Sequence, residues 1–493
     1  MRSNKLDHYA ILGVFRDASQ EEIKRAYFDA AQRLHPDKNV AAGETELFLE
    51  IQQAYEVLSN PKRRSLYDAT LPPVIEENSF IKHNVFFSRP NLVKLTEPQL
   101  VYMLLEVGPR EDKEKLPTPP LNICLLLDRS TSMQGDKMDM VKATAIQLLR
   151  NLRPDDVLSV VAFSDFAEVI IPAALNLDNK KQEGRIQMMQ TSGATEIFNG
   201  LQAALKEIRR TLDPSRVNHI ILLTDGQTYV DEQACIELAE EAAAENIGIS
   251  GMGIGNDWND IFLDVLASKT GGSSAYISKP KDIQRLLVDK FNALISTYAD
   301  EVLLDFKEQE HVKINEVFRL QPEGGLVQVE SPMRLGPILR DASLHVLFEF
   351  LVSPDALNED MPTLLDGSLK VSVTTRPIPV PPVRLLLNRT VRIDPSPEPP
   401  PARILFALSR LNLCRMQDRA RAAASQGQYN VAARQLQNLA THLLSQGEHS
   451  LAKTALFEAD NLEKKHAWSA SGNKEIKYNT RALLLASTKE KTR

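Results

Sequence analysis

The apolar run from Leu121 to Leu127 ends in Asp128-Arg129-Ser130-Thr131-Ser132, so a carboxylate and two hydroxyls leave one strand together. A second apolar run, His219 to Thr224, ends in Asp225-Gly226, and Thr195 stands between the two in Ser192-Gly193-Ala194-Thr195. Hard oxygens gathered at the carboxyl ends of parallel strands suit Mg²⁺ or Mn²⁺. A turn of Ser, Thr and Asp that caps the following helix uses the same residue types, and any strand-loop-helix can carry one. One such segment would favour the cap. Three in a single chain turn attention to a metal.

The set resembles the metal-ion-dependent adhesion site of von Willebrand factor type A domains. The three segments stand in the family's order, and the resemblance covers residues 119–298. It implies that Ser130 and Ser132, and sometimes Thr195, touch the cation, while Asp128 and Asp225 act mainly through waters. It also implies an open coordination position, filled by an acidic residue of a protein partner.

A second chemical element is His35-Pro36-Asp37, between two apolar runs of helical spacing. Ile23, Ala26, Tyr27, Ala30, Ala31 and Leu34 form the first, behind Ser19 as an N-cap with Glu22 three residues on. Phe48, Ile51, Tyr55 and Leu58 supply the opposing face, and Pro36 must stop the first helix. Two antiparallel helices of this size present a charged loop and hold no cleft. Asp7-His8-Tyr9 and Leu12-Gly13-Val14 precede this unit, and Lys62-Arg63-Arg64-Ser65-Leu66-Tyr67-Asp68 closes it. Residues 1–70 thereby resemble a J domain, the DnaJ-type co-chaperone module. The resemblance implies docking to a DnaK-type chaperone through Lys24, Arg25 and Arg33, with His35, Pro36 and Asp37 stimulating its ATP hydrolysis. The family's basic stripe is diluted here. Phe28 and Asp29 follow Tyr27, and Lys24, Arg25 and Arg33 are set against Glu21, Glu22 and Asp29. Where charge steers encounter, this predicts weak docking or a preferred chaperone, unless the remaining basic residues suffice.

The elements that position these groups follow from periodicity. Strand signals at 121–127, 157–163, 217–224 and 247–253 alternate with helical stretches at 137–152, 198–211 and 231–245, which predicts a doubly wound, Rossmann-like α/β domain. Gly253-Ile254-Gly255 lacks the third glycine and the Lys-Ser/Thr of a phosphate loop, so it reads as a strand-to-helix turn. On either side, 84–87 and 100–107, then 302–306, 317–320, 344–350 and 369–373, read as strands. The first group is too short for its own core, so the α/β domain is expected to be inserted in a β-sandwich. Prolines at 377–382 and 394–401 predict a stiff extended spacer. Beyond it Ser425-Gln426-Gly427 recurs as Ser445-Gln446-Gly447, with Ala432 and Ala452 at matching places. The glycines would end helices, and the alanines would permit close packing. The pattern resembles tetratricopeptide-type helix pairs and equally fits a plain helical bundle packed on the sandwich.

The expected organisation is a J domain (1–70), a linker and the first part of the sandwich (71–118), the A domain (119–298) and the second part of the sandwich (299–393). A proline-rich linker (394–401) and a helical domain (402–493) complete it. At 493 residues the chain requires several cores. Its 43% hydrophobic and 25% charged residues are those of a globular protein, and a net charge of −7 disfavours nucleic acid as a partner. Three cysteines without paired spacing predict a reduced compartment. The amino terminus shows no signal peptide and no stretch is long enough to span a bilayer, so a cytoplasmic placement without membrane contact is expected. Nine scattered histidines and no nucleophile elbow or H-E-x-x-H pattern argue against a hydrolase, so no enzymatic activity is expected. Two functions remain. One is an adaptor that grips a partner through the metal and delivers a DnaK-type chaperone. The other is an assembly factor, alone or beside an AAA-type ATPase, whose J domain only docks.

Overall fold

A computed structural model describes residues 8–12, 14, 18–34, 44–68, 81–109, 117–175, 178–227, 232–375, 380, 382–394, 399–469 and 471–483. At the amino terminus, helices Gln20–Leu34 and Glu44–Leu58 pack through Ile23, Ile51, Ala54 and Leu58, all fully buried. The capping box forms in both directions. Ser19 N–H donates to Glu22 Oε2 at 2.7 Å, and Glu22 N–H donates to Ser19 Oγ at 3.2 Å. His35, Pro36 and Asp37 lie outside the described residues, as does the side chain of Arg33.

Two β-sheets form a sandwich. One contains Ile81–Phe87, Gln99–Pro109, Leu344–Val352, Val312–Gln321 and Gly325–Val327, in that order. Leu347 pairs with Leu104 and Phe348 with Met103, so a strand from before the α/β domain is zipped to one from well after it. The facing sheet holds Met333–Leu339, Thr297–Lys307, Thr363–Ser372 and Val383–Asn388. The α/β domain is thus inserted in the sandwich, as the short strand signals require.

Its own sheet runs Ala167–Ile171, Val157–Phe163, Leu121–Asp128, Val217–Thr224, Gly248–Ile254, Ser274–Ile277, parallel except at the first edge. Both central strands are buried at every residue, which explains their unbroken apolar runs. Helices cover both faces: Asp136–Arg150 and Asp282–Ile295 on one, Ile197–Arg210 and Asp260–Lys269 on the other. Chain order reverses between Leu121–Asp128 and Val217–Thr224. That switch point is where such sheets open a crevice at their carboxyl ends.

Helices Ala402–Ser425, Tyr429–Ser445, His449–Lys465 and Gly472–Leu483 close the chain. Gly427 and Gly447 follow two of them with φ of +74° and +80°, a left-handed conformation that ends a helix, and Ala432 and Ala452 are fully buried. No helix among the described residues is long and apolar enough to cross a membrane.

Candidate metal centre

Asp128 ends one strand at the switch point, and Asp225 follows Thr224 at the end of its neighbour. Ser130 N–H donates to Asp128 Oδ1 at 2.7 Å, and the Thr224 hydroxyl donates to Asp128 Oδ2 at 2.6 Å. The hydroxyls of Ser130 and Ser132 lie 3.0 Å apart, and Ser132 Oγ donates to Asp225 Oδ1 at 2.6 Å. The loop carrying Thr195 is sewn to this turn by Ser192 N–H on Arg129 O (2.8 Å) and Thr131 N–H on Gly193 O (3.1 Å). Thr195 reaches in over Gly226, where a Cβ would fall 2.4 Å from its Oγ1. Glycine at 226 therefore keeps room for the threonine. Arg129 points away from the oxygens, paired with Glu168 at 2.9 Å and stacked on the exposed Phe166 ring.

Asp128, Ser130 and Asp225 are buried, whereas Thr195 is half-buried and Ser132 exposed, so the cluster opens to solvent on the hydroxyl side. Burial pushes the Asp128 carboxyl above the usual range, and the neighbouring charge of Asp225 adds to it, against the hydrogen bonds from Thr224 and Ser130. A buried carboxylate destabilised in this way is one that a cation would stabilise. Among the described residues there is no cluster of three His, Cys, Asp or Glu side chains. The donors are two carboxylates and three hydroxyls, a hard all-oxygen set that fits Mg²⁺ or Mn²⁺ better than softer ions.

The five residues flagged in the sequence thus come together. Two further participants were not flagged. Thr224 orients Asp128. Lys137 donates to Asp225 Oδ2 at 2.5 Å and to Ser132 O at 3.2 Å. A sequence signal for Lys137 exists: it stands in the first turn of helix Asp136–Arg150, where the helix dipole disfavours a cation.

Three family descriptions match the chain: DnaJ domain at 7–68, von Willebrand factor type A domain at 122–289, and Sll0103-like, C-terminal alpha-helical domain at 402–486. The chain carries a DnaJ domain and a von Willebrand factor type A domain. Domains of this family commonly bind a divalent metal. "Uncharacterized protein sll0103" of Synechocystis sp. is 30% identical over 231 residues, covering 45% of this chain and 55% of that protein. "Chaperone protein DnaJ 2" of Thermus thermophilus is 56% identical over 64 residues, 13% of this chain and 23% of that protein. The chain thus spans about half or less of these relatives' lengths. In fold it resembles the solved von Willebrand factor type A protein from Catenulispora acidiphila, with a TM-score of 0.65 at 14% identity over 83% of this chain and 98% of that one.

In the DnaJ domain, Lys24 and Arg25 are exposed on helix Gln20–Leu34, and Tyr27 stacks on Tyr55 at 4.1 Å. Phe28 is 56% exposed beside them, so this face of the helix carries an aromatic ring among its charges. His219 lies within the strand Val217–Thr224 and is hydrogen-bonded to Ser250 at 2.9 Å. Burial pulls its pKa down to about 3, which makes it a neutral structural group. Gly253-Ile254-Gly255 ends a strand, and Asn259 caps the next helix through Ile261 and Phe262 N–H, so this is a strand-to-helix turn.

Proposed function

We propose that this protein is a non-enzymatic cytoplasmic co-chaperone adaptor. Its A domain holds Mg²⁺ or Mn²⁺ on Asp128, Ser130, Ser132, Thr195 and Asp225, and the open side of the cation takes a carboxylate of a protein partner. Its DnaJ domain docks a DnaK-type chaperone through Lys24, Arg25 and Arg33 and, through His35, Pro36 and Asp37, stimulates ATP hydrolysis by that chaperone. The interlocked oxygens at the switch point, in a chain that also carries a DnaJ domain, are the observation that supports this reading. A bound divalent cation leaves a net positive, solvent-facing site, which attracts carboxylates without a base to activate water. The exposed Phe28 on the docking helix supports a second reading, in which the DnaJ domain docks without stimulating hydrolysis and the A domain acts in assembly.

One experiment separates the parts. Mn²⁺ binding is titrated by calorimetry, and chaperone ATP turnover is measured in single-turnover mode, for the wild type, Asp225→Ala and His35→Gln. Asp225→Ala should lose Mn²⁺ binding and keep stimulation, since the domains have separate cores; His35→Gln should do the reverse. Mn²⁺ binding that survives Asp225→Ala removes the metal site. Absent stimulation by wild type, where another DnaJ protein works, selects the second reading.

A further inference from the structure

The chain itself places a cation in this centre. Lys137 places its ammonium 2.5 Å from Asp225 Oδ2 and 3.2 Å from Ser132 O, so it engages both residues through which the turn and the neighbouring strand are joined. Its position is unfavourable on local grounds. It occupies the first turn of helix Asp136–Arg150, where unpaired N–H groups and the dipole repel positive charge, and the chain offers that turn Asp136 and Asp139 as more fitting company. What holds it there is Asp225, itself buried with its side chain 1% exposed, against 31% for Lys137. Asp128, by contrast, is met by the neutral donors Ser130 and Thr224.

We infer that Lys137 is a built-in competitor for the divalent cation, an inference that rests on the metal reading of the site. Its ammonium neutralises Asp225 and ties it to the Ser132 backbone, which keeps the ligands gathered. When the cation arrives, it meets a like charge on the carboxylate it must share, and the ammonium has either to swing out to solvent or to repel it. Either course lowers affinity. A like charge a few ångströms away, next to a buried carboxylate, is screened far less than one on an open surface. Lys137 therefore sets the metal concentration at which the site fills. It favours a reversible, concentration-dependent hold on the partner over a permanently loaded one.

The test is calorimetric titration of the full chain with Mg²⁺ and Mn²⁺, for wild type, Lys137→Met and Lys137→Gln. Met keeps the length of the side chain without its charge, and Gln keeps a donor as well. Both variants should bind the metals at least about tenfold more tightly, the size of effect that one modest charge interaction produces. In EDTA both should melt below wild type, with the difference closing at saturating Mg²⁺. Unchanged or weaker binding in the two variants, with wild type still binding, overturns the competitor role and leaves the metal site standing. No binding by any of the three overturns both. Tightening confined to one variant also overturns it, because charge is the property the two share.

Discussion

Asp300 shows how much a single carboxylate is governed by what surrounds it. It lies in the first sandwich strand after the A domain, where Asn246 Nδ2 donates to Oδ2 at 2.5 Å and Oδ1 is buried without a hydrogen-bond partner. Burial pushes its pKa up to about 6. In the unfolded chain an aspartate ionises near pH 4, so as pH rises the unfolded state releases this proton first. The stability that Asp300 contributes is complete below about pH 4, falls between there and about 6, and stays lost above. Asp300→Asn removes the burden and keeps an oxygen for Asn246. The variant should gain on wild type at pH 7.5, by at most about 3 kcal/mol for two pKa units, and gain nothing at about pH 3.5, below both pKa values. Melting temperatures at the two pH values decide it, and an equal difference at both would mean that the charge is irrelevant. The same scale explains what was legible in the sequence. Asp128, Ser130 and Ser132 were readable because close spacing carries the site's geometry. Lys137 left only the trace of a cation in a helix's first turn, and its role was not readable, because its partner lies 88 residues away and only the fold brings them together.

At the scale of elements, the helix Asp260–Lys269 and the terminal helix Gly472–Leu483 are joined by a largely buried ionic network. Lys477 pairs with Asp260 and, at 2.8 Å, with Asp264; Arg421 meets Asp260 at 2.6 Å and Arg481 meets Asp264 at 2.8 Å. Burial works to raise the Asp260 pKa, but Arg421 and Lys477 outweigh it and hold the carboxyl well below the usual range. Lys477→Met strands part of this negative charge in a dry interface. Removing one partner of a buried pair typically costs about 3–5 kcal/mol, and the surviving arginines keep the loss to about 3 kcal/mol. Denaturant unfolding with hydrogen exchange on the terminal helix checks it, and full protection in the variant would show that the ions add no net adhesion. The periodicity of the A-domain strands gave their order of appearance and the turn at Gly255. It gave no hint of Asp260–Lys269 as a dock, since an acidic first turn looks the same on a solvated helix. Gly253 is similar: a Cβ there would fall 1.9 Å from the Trp258 ring, a constraint visible only once the tryptophan is seen folded beneath the strand.

For the whole molecule, the helix Ala402–Ser425 is a strut and not an appendage. Ile404, Ala407, Leu411 and Cys414 cover Phe86, Leu104, Phe318, Leu320 and Leu347 on the outer face of the five-stranded sheet. Arg403 holds Glu106 at 2.7 Å, Arg415 holds Glu349 at 2.6 Å, and Arg421 at the far end reaches the A domain. The sequence showed that the sandwich was split, because its first strands were too few to make a core. It offered a helical bundle packed on the sandwich as one of two equal readings and could not choose, because amphipathicity tells which face of a helix is buried and not what buries it. The DnaJ domain stands otherwise: it has its own core, with Ala402 of the strut packed against it. Removing residues 1–80 should leave 81–493 monomeric, with a melting temperature within a few degrees of the full chain and its Mn²⁺ binding intact. Ending the chain at 401 should expose a contiguous apolar sheet face and strip Glu106, Glu349, Asp260 and Asp264 of the arginines and lysines that meet them, which favours aggregation over a stable monomer. Size-exclusion chromatography and thermal melts of the two truncations measure the contrast. A 1–401 chain that remained monomeric and melted cooperatively at the full-length temperature would show that the sandwich and A domain hold together without the strut.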